Sequence, residues 1–310
     1  MKQAPLITVL TPTYNRAALL ARLHRSLCGQ TFSDFEWLIV DDGSTDGTGS
    51  AVPQLTGKTP NFGVRYLRKE NGGKHTAMNL GVREARGTFC AVLDSDDWYA
   101  PQCLERLKFH WDSIRDPRRF AEVQGLCATA DGSVIGSPFP QPVFDSDYYE
   151  LAETLRVSGD RVGMIRTDVL RAHPFPEQFG NVYVPEGIVW NRIARKYRMR
   201  GVNEVLGFKE YLEGGLTSTS GPRHVAQAGP RLLYVEELLG MRRPLPPGPR
   251  FRAYANLTRY GLNYGRGVIR EARRAPSLRL WALALPAGLA LAARDRLVAR
   301  ADEASLPTAT

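Results

Sequence analysis

Cysteine is scarce: Cys28, Cys90, Cys103 and Cys127 are the four in 310 residues, with no C-x-x-C pair and no metal-ligand spacing. That argues against a disulfide frame, and the four are expected as buried thiols in a reducing compartment. The five histidines include no H-E-x-x-H, so a zinc hydrolase site has no support. No G-x-G-x-x-G follows the first apolar run and no G-x-x-x-x-G-K-[ST] is present, so dinucleotide and P-loop readings fail. Long apolar runs are missing too. Leu6–Leu10 is too short for a signal peptide and Pro12 follows it. The stretch from Leu280 to Ala293 is broken by Pro286 and Gly288 and falls short of the roughly 20 residues a membrane span needs. It could lie at a membrane interface or pack as a core helix; the interface is the reading preferred here.

Lysine is absent from residues 221–310, although they hold 15 Arg against 6 acidic residues, a net +9 that equals the charge of the whole chain. Residues 1–220 are neutral, with 26 basic and 26 acidic residues. An arginine-only basic tail points to an anionic surface, foremost phospholipid headgroups. No DNA- or RNA-binding motif accompanies the charge, and no nucleic-acid partner is expected. The expected location is the cytoplasm, with peripheral attachment to the inner membrane face as the tail's contribution.

What the chain does have is a series of apolar runs that end in polar clusters. Leu6–Leu10 reads as a strand closed by Thr11-Pro12-Thr13-Tyr14-Asn15, with Thr13 or Asn15 as cap of a helix carrying Leu19, Leu20, Leu23 and Leu27 at helical spacing. Phe35–Val40 is a second strand ending in Asp41-Asp42-Gly43-Ser44, followed by Asp46 as a turn residue, and Val64–Leu67 is a short third one. Asn71-Gly72-Gly73-Lys74 opens a helix through Ala77, Leu80, Gly81 and Ala85, and Thr88–Leu93 is a fourth strand. Strands alternating with helices predict a doubly wound, mostly parallel α/β sheet, in which ligands bind beyond the carboxyl ends of the strands.

The fourth strand ends in Asp94-Ser95-Asp96-Asp97-Trp98, three carboxylates within four residues. Carboxylates crowded at a strand end raise one another's pKa unless a cation neutralises them. Oxygen-only ligands favour a hard ion, Mn2+ or Mg2+, usually completed by phosphate oxygens. The D-x-D therefore suggests an enzyme that holds a metal-bound diphosphate.

Beyond residue 100 the pattern is less regular. A helix starts near Gln102, Pro138–Pro142 marks a loop, and Pro185-Glu186-Gly187 opens a helix predicted over 188–198 with Ile188, Ile193, Ala194 and Tyr197 inward. Gly214–Gly221 reads as a flexible loop and Pro244–Pro249 as a stiff connector into the arginine-rich helical tail.

Together, Thr11–Arg16, Glu36–Thr48, Asn71–Asn79 and Leu93–Trp98 resemble, in order and spacing, the family 2 glycosyltransferases of GT-A fold. The resemblance covers residues 5–100, with weaker similarity to residue 215. It implies a GT-A domain over 1–220, with 1–100 as the nucleotide-sugar-binding half and 101–220 as the acceptor-side half. Residues 221–310 then form a mainly helical extension. It further implies a nucleoside-diphosphate sugar donor, UDP by family habit, a divalent metal, inversion at the anomeric carbon, and a glycan or lipid-linked acceptor, as in surface polysaccharide biosynthesis.

Residue by residue, Asp42 matches the acid that reads the nucleotide base, with Asp41 beside it, and Pro12 and Tyr14 match the turn lining the base pocket. Lys74 lies on the loop facing the donor, where it could contact a carboxylate or a phosphate. Asp94 and Asp96 match the D-x-D around Ser95, Asp96 being the better metal ligand; Asp97 could be a second ligand or an outer acid. Many relatives place an acidic pair near residue 186, and here only Glu186 matches, as general base. No Q-x-x-R-W is present, which argues against a processive polysaccharide synthase and for single-sugar transfer.

Two rivals are weaker. A haloacid-dehalogenase-like phosphatase needs Thr or Val where Trp98 stands. The other is a non-catalytic relative that binds carbohydrate, nucleotide or calcium; an EF-hand calcium loop would need Asp or Asn at 98 and Gly at 99, where the chain has Trp98 and Tyr99.

Overall fold

The computed structural model describes residues 4–57, 61–210 and 225–305. The chain divides into two compact units, one of Met1–Asn181 with Lys196–Glu210, the other of Val182–Arg195 with Tyr211–Thr310. The loop expected at Gly214–Gly221 lies outside the described residues.

In the first unit, β1 (Ile7–Thr13), β2 (Phe35–Asp41), β3 (Gly63–Arg68) and β4 (Phe89–Val92) are parallel in the order β3-β2-β1-β4. The helices α1 (Ala17–Cys28), α2 (Thr48–Thr56) and α3 (Lys74–Glu84) connect them. Every residue of β1 and β2 is buried, as in a sheet covered on both faces, which is why these strands read as near-continuous apolar runs. On one face Leu20, Leu23 and Leu27 of α1 join Ile7, Val9, Trp37 and Ile39 in the core. Leu19, the remaining helical position, is only half-buried.

β1 outruns its expected end at Leu10 and passes through Pro12. The reason lies in the ladder. Leu10 accepts a hydrogen bond from Leu93 N (2.9 Å) on the β4 side, and Thr13 accepts one from Asp42 N (2.9 Å) on the β2 side. Alternate residues face alternate neighbours, so Pro12 turns toward β4 beyond the last pair, Leu10–Val92. Its missing N–H forfeits no bond there, and proline is tolerated in a central strand. The chain leaving β4 diverges from β1 at the same level, and the acidic stretch follows at once.

The rest of this unit adds β5 (Trp98–Tyr99), α4 (Cys103–Asp112), β6 (Phe120–Ala128), β7 (Val143–Ser146), β8 (Arg161–Arg166), α5 (Thr167–Ala172) and β9 (Arg198–Phe208). The sheet continues β4-β8-β6-β9-β5, with β7 also on β9, giving nine strands among the described residues. β8 is antiparallel to both β4 and β6, whereas β9 is parallel to β6.

Three local expectations are corrected. Neither Thr13 nor Asn15 caps α1: Arg16 stands at the N-cap without a side-chain cap bond, and Asp46 Oδ2 accepts from Ala17 N at 3.0 Å instead. The same Asp46 accepts from Thr48 N through Oδ1 (3.0 Å), so one turn carboxylate serves the start of two helices. The helix predicted over 188–198 is α6 (Gly187–Ala194), because Arg198 must be extended to pair with Phe120 of β6. Ile188 and Ile193 are buried, but Ala194 and Tyr197 are not. Of the cysteines, Cys90, Cys103 and Cys127 are buried and Cys28 is exposed, since it ends α1 one step past the inward Leu27.

The second unit combines α6 with α7 (Ala228–Leu239), α8 (Pro247–Asn263), α9 (Val268–Arg274) and α10 (Leu278–Ser305). Arg192 of α6 and Arg195 at its C-cap both pair with Glu237 of α7, at 2.8 and 2.6 Å. The proline connector is shorter than expected, because α8 starts with Pro247 in its first turn, where the missing N–H would be unbonded anyway. Among the described residues no helix is long and apolar enough to cross a membrane.

Candidate functional site

The carboxyl ends of β1, β2 and β4 lie on one edge of the sheet, because these strands are parallel neighbours. Near the end of β1 Pro12 is buried, and just beyond the strand Tyr14 is 48 % exposed. Asn15, at φ 51°, donates its N–H to Ser44 Oγ (2.9 Å) and accepts from Thr45 N (2.8 Å), tying this end to the turn after β2.

Asp41, the last residue of β2, is fully buried; it accepts from Ser44 N (2.8 Å) and from the Tyr66 hydroxyl. Burial, and then this hydrogen bond, hold the Tyr66 phenol above its ordinary pKa. The Asp42 carboxylate accepts from Lys69 Nζ (2.6 Å), Gly72 N (3.0 Å) and Gly73 N (2.7 Å). Gly73 has φ +95°, a conformation disfavoured for a residue with a Cβ, and the turn it makes brings both amides onto Asp42. Asp42 thus holds the 71–73 loop in place, and α3 starts from it.

The first residue of α3 is Lys74, whose ammonium lies 2.8 Å from Asp94 Oδ1 and 3.0 Å from Oδ2. Burial works to raise the Asp94 pKa, but Lys74 and then Lys209 outweigh it and hold the carboxyl below its usual value. Ser95 and Asp97 are buried, Asp94 and Asp96 half-buried. The Asp97 carboxylate is 2.9 Å from Lys209 Nζ, which also lies 3.9 Å from Asp94 and 3.7 Å from Asp160. Burial pushes the Asp97 carboxyl up, against the pull of Lys209. For Lys209 burial alone would lower the pKa; Asp97, Asp94 and Asp160 outweigh it and keep the ammonium charged.

The Asp94, Asp96 and Asp97 carboxylates each offer an oxygen within 4.8 Å of the others. An all-carboxylate set at this spacing fits a hard divalent ion such as Mn2+ or Mg2+. Lysines hold Asp94 and Asp97, whereas the Asp96 side chain has no hydrogen bond or ion pair among the described residues, so its oxygens are open to a ligand.

Lys209, Lys69 and Arg22 are absent from the sequence-derived site. Arg22, on α1, donates to the Asp96 carbonyl (2.8 Å), stacks its guanidinium 4.1 Å over Trp98 and pairs with Glu210. Trp98 stacks on Phe208 at 5.6 Å. The signal for Lys209 was the apolar run Val205-Leu206-Gly207-Phe208 ending in Lys209-Glu210, another strand end with charges. Glu186 belongs to the second unit, at the N-cap position of α6.

This α/β topology, with its polar strand ends on one edge, is the GT-A fold. Residues 8–116 match the family described as glycosyl transferase family 2. It is 38 % identical over 105 residues to the hyaluronan synthase of Pasteurella multocida, covering 34 % of this chain and 11 % of that synthase. The match thus spans about a tenth of that relative's length. Among solved structures, S. aureus TarS 1-349 superposes with a TM-score of 0.63 at 17 % identity, over 98 % of this chain and 93 % of that one. It has also been solved with UDP-GlcNAc. The mannosyltransferase PcManGT from Pyrobaculum calidifontis, in complex with GDP-Man and Mn2+, gives 0.57 at 21 % identity over 96 % and 84 %.

Proposed function

We propose that the protein is a metal-dependent inverting glycosyltransferase. It moves a single sugar from a nucleoside-diphosphate sugar, UDP being the carrier, to a glycan or lipid-linked acceptor on the cytoplasmic side of a membrane, in surface polysaccharide biosynthesis. One observation carries the reading: Asp94, Asp96 and Asp97 gather within 4.8 Å at a strand end shared with Lys74 and Lys209. Three carboxylates and two ammonium groups make a site for a diphosphate and its counter-ion, and not a site for a neutral ligand.

Mn2+ or Mg2+, held by Asp96 with Asp94 and with Asp97 as a further candidate, would supply charge stabilisation to the departing diphosphate. Pro12, Tyr14, Asp41 and Asp42 take the nucleoside end, with Asp42 positioning the 71–73 loop beside the base. Lys74, Asp94 and Ser95 take the sugar diphosphate. The acceptor hydroxyl oxygen attacks the anomeric carbon while the bond from that carbon to the diphosphate oxygen breaks. The hydroxyl proton goes to Glu186, and the electron pair leaves on the diphosphate. Glu186 stands at a helix start, and a carboxylate is a group able to take the acceptor's proton as a general base.

A thermal-shift panel of nucleoside-diphosphate sugars with and without Mn2+ tests the reading. A donor that binds the folded state alone raises Tm in proportion to the logarithm of its concentration. Stabilisation by one nucleotide family, enhanced by Mn2+, is the expected result; no response to any of them would sink the proposal.

A further inference from the structure

We propose that the outward face of α9 and α10 is a docking surface for an anionic lipid bilayer. The transfer chemistry plays no part in the argument, which rests on how α10 divides its two sides. Trp281, Ala284, Gly288, Ala292 and Asp295 recur at helical spacing and are buried. This inner face packs on α8: a Cβ on Gly288 would stand 2.6 Å from the Ala255 carbonyl oxygen, so only glycine allows the approach. Asp295 accepts from Arg259 at 2.7 and 2.6 Å and from Asn263 at 3.0 Å. Half of the helix is therefore spent on the fold.

The opposite stripe, Leu283, Pro286, Ala290, Ala293 and Leu297, recurs at the same three- and four-residue spacing and is exposed. Leu283 is 68 % and Leu297 66 % exposed, and Ile269 of α9 is 72 % exposed. Arg270 and Arg273 of α9 and Arg279, Arg294 and Arg300 of α10 are all exposed and without an ion pair among the described residues. The acidic residues between 268 and 300 are Glu271 and Asp295, at 0 % and 5 % exposure. Both carboxylates thus face inward while the arginines face out. A solvated face would mix the two signs, and a face for a neutral protein partner would not need five unpaired guanidinium groups. Leucines that enter the acyl boundary, flanked by cations at headgroup level, match an amphipathic helix lying in the plane of an anionic membrane.

Flotation of the full chain on vesicles tests this. The protein should float with phosphatidylcholine vesicles containing phosphatidylglycerol and stay behind with phosphatidylcholine alone. Binding should fall severalfold when salt shortens the reach of exposed charges. Two variants separate the terms: Leu283→Glu with Leu297→Glu, and Arg279→Ser with Arg294→Ser and Arg300→Ser. All five positions are exposed, so Tm should stay unchanged, and each variant should lose flotation. Absence of flotation on the anionic vesicles at low salt overturns the proposal, as does flotation that both variants retain. A dimer by light scattering that the leucine variant dissociates, without flotation of the native chain, assigns the face to a second copy and also overturns it. Donor-induced thermal shifts report on the transfer reading independently of every outcome here.

Discussion

The ammonium of Lys209 lies 2.9 Å from the Asp97 carboxylate, with the two side chains 20 % and 10 % exposed. A cation of the chain itself thus occupies one side of the carboxylate trio. Lys209 directly follows β9 and Asp97 follows β4, so the pair joins two sheet strands that are far apart in sequence.

That pair sets the first expectation. In Lys209→Met, Mn2+ titrated in the absence of nucleotide should bind several-fold more tightly, because a positive charge within a few ångströms of the carboxylates is gone. Isothermal titration reads this directly. Equal or weaker affinity would mean that the ammonium holds the carboxylates in their binding geometry.

Asp96→Ala removes the one carboxylate of the trio without an ion pair. It should abolish transfer and the Mn2+ dependence of nucleotide binding, while Tm stays within a few degrees of the parent, since no internal bond of that side chain is lost. Unchanged Mn2+-dependent affinity for UDP would count decisively against Asp96 as a ligand.

Asp42→Asn acts on two properties at once. The carboxylate accepts from Lys69 and from two backbone amides. An amide in its place sets an N–H against one of those donors, a loss of about 1–3 kcal/mol. A lower Tm should therefore accompany weaker nucleotide binding and a blurred base preference in calorimetry. A lower Tm with intact nucleotide ranking would confine Asp42 to shaping the loop.

Glu186→Gln keeps shape and removes basicity. Transfer should slow by roughly 10²–10⁴-fold with donor affinity retained. A loss below about threefold would send the search to Asp145 or Asp147. Asp145 is the poorer of these, being held by two bonds from Arg200 at 2.7 and 2.8 Å.

A pH effect is expected on stability. The Arg106 guanidinium, with His110 beside it, holds the Glu204 carboxyl down at about 2 from an ordinary 4.5, against burial. A depressed carboxyl stabilises the fold above its unfolded value and loses that contribution as pH falls toward its folded one. The Tm gap between the native chain and Glu204→Gln should be widest near neutrality and close between pH about 4.5 and 2. A gap independent of pH would show that packing, and not charge, is what Glu204 supplies.

The first four strands and their acidic ends were legible because each is a local event: an apolar run, then a carboxylate or an amide. Lys74 was legible as well, standing in a glycine loop that begins a helix. What escaped depends on partners remote in sequence. Pro12 stays in β1 because β4 has already ended, a fact of pairing and not of propensity. Asp46 serves two helices across a turn. Lys209 is brought to Asp97 by β9, a strand whose neighbours β5, β6 and β7 are scattered over 98–146. The tail read as one apolar stretch with arginines around it. Its division into a packed side and an open side follows from contacts with α8, on which the linear pattern is silent.

The pairing of Arg192 and Arg195 with Glu237 bears on recombination. Because 182–195 groups with the C-terminal helices while 196–210 returns to the sheet, the chain order and the module order differ. A crossover that grafts a relative's tail after residue 210 would keep α6 and replace the α7 it pairs with, parting two arginines from their shared carboxylate. Functional hybrids should therefore inherit both segments together, from one parent or the other.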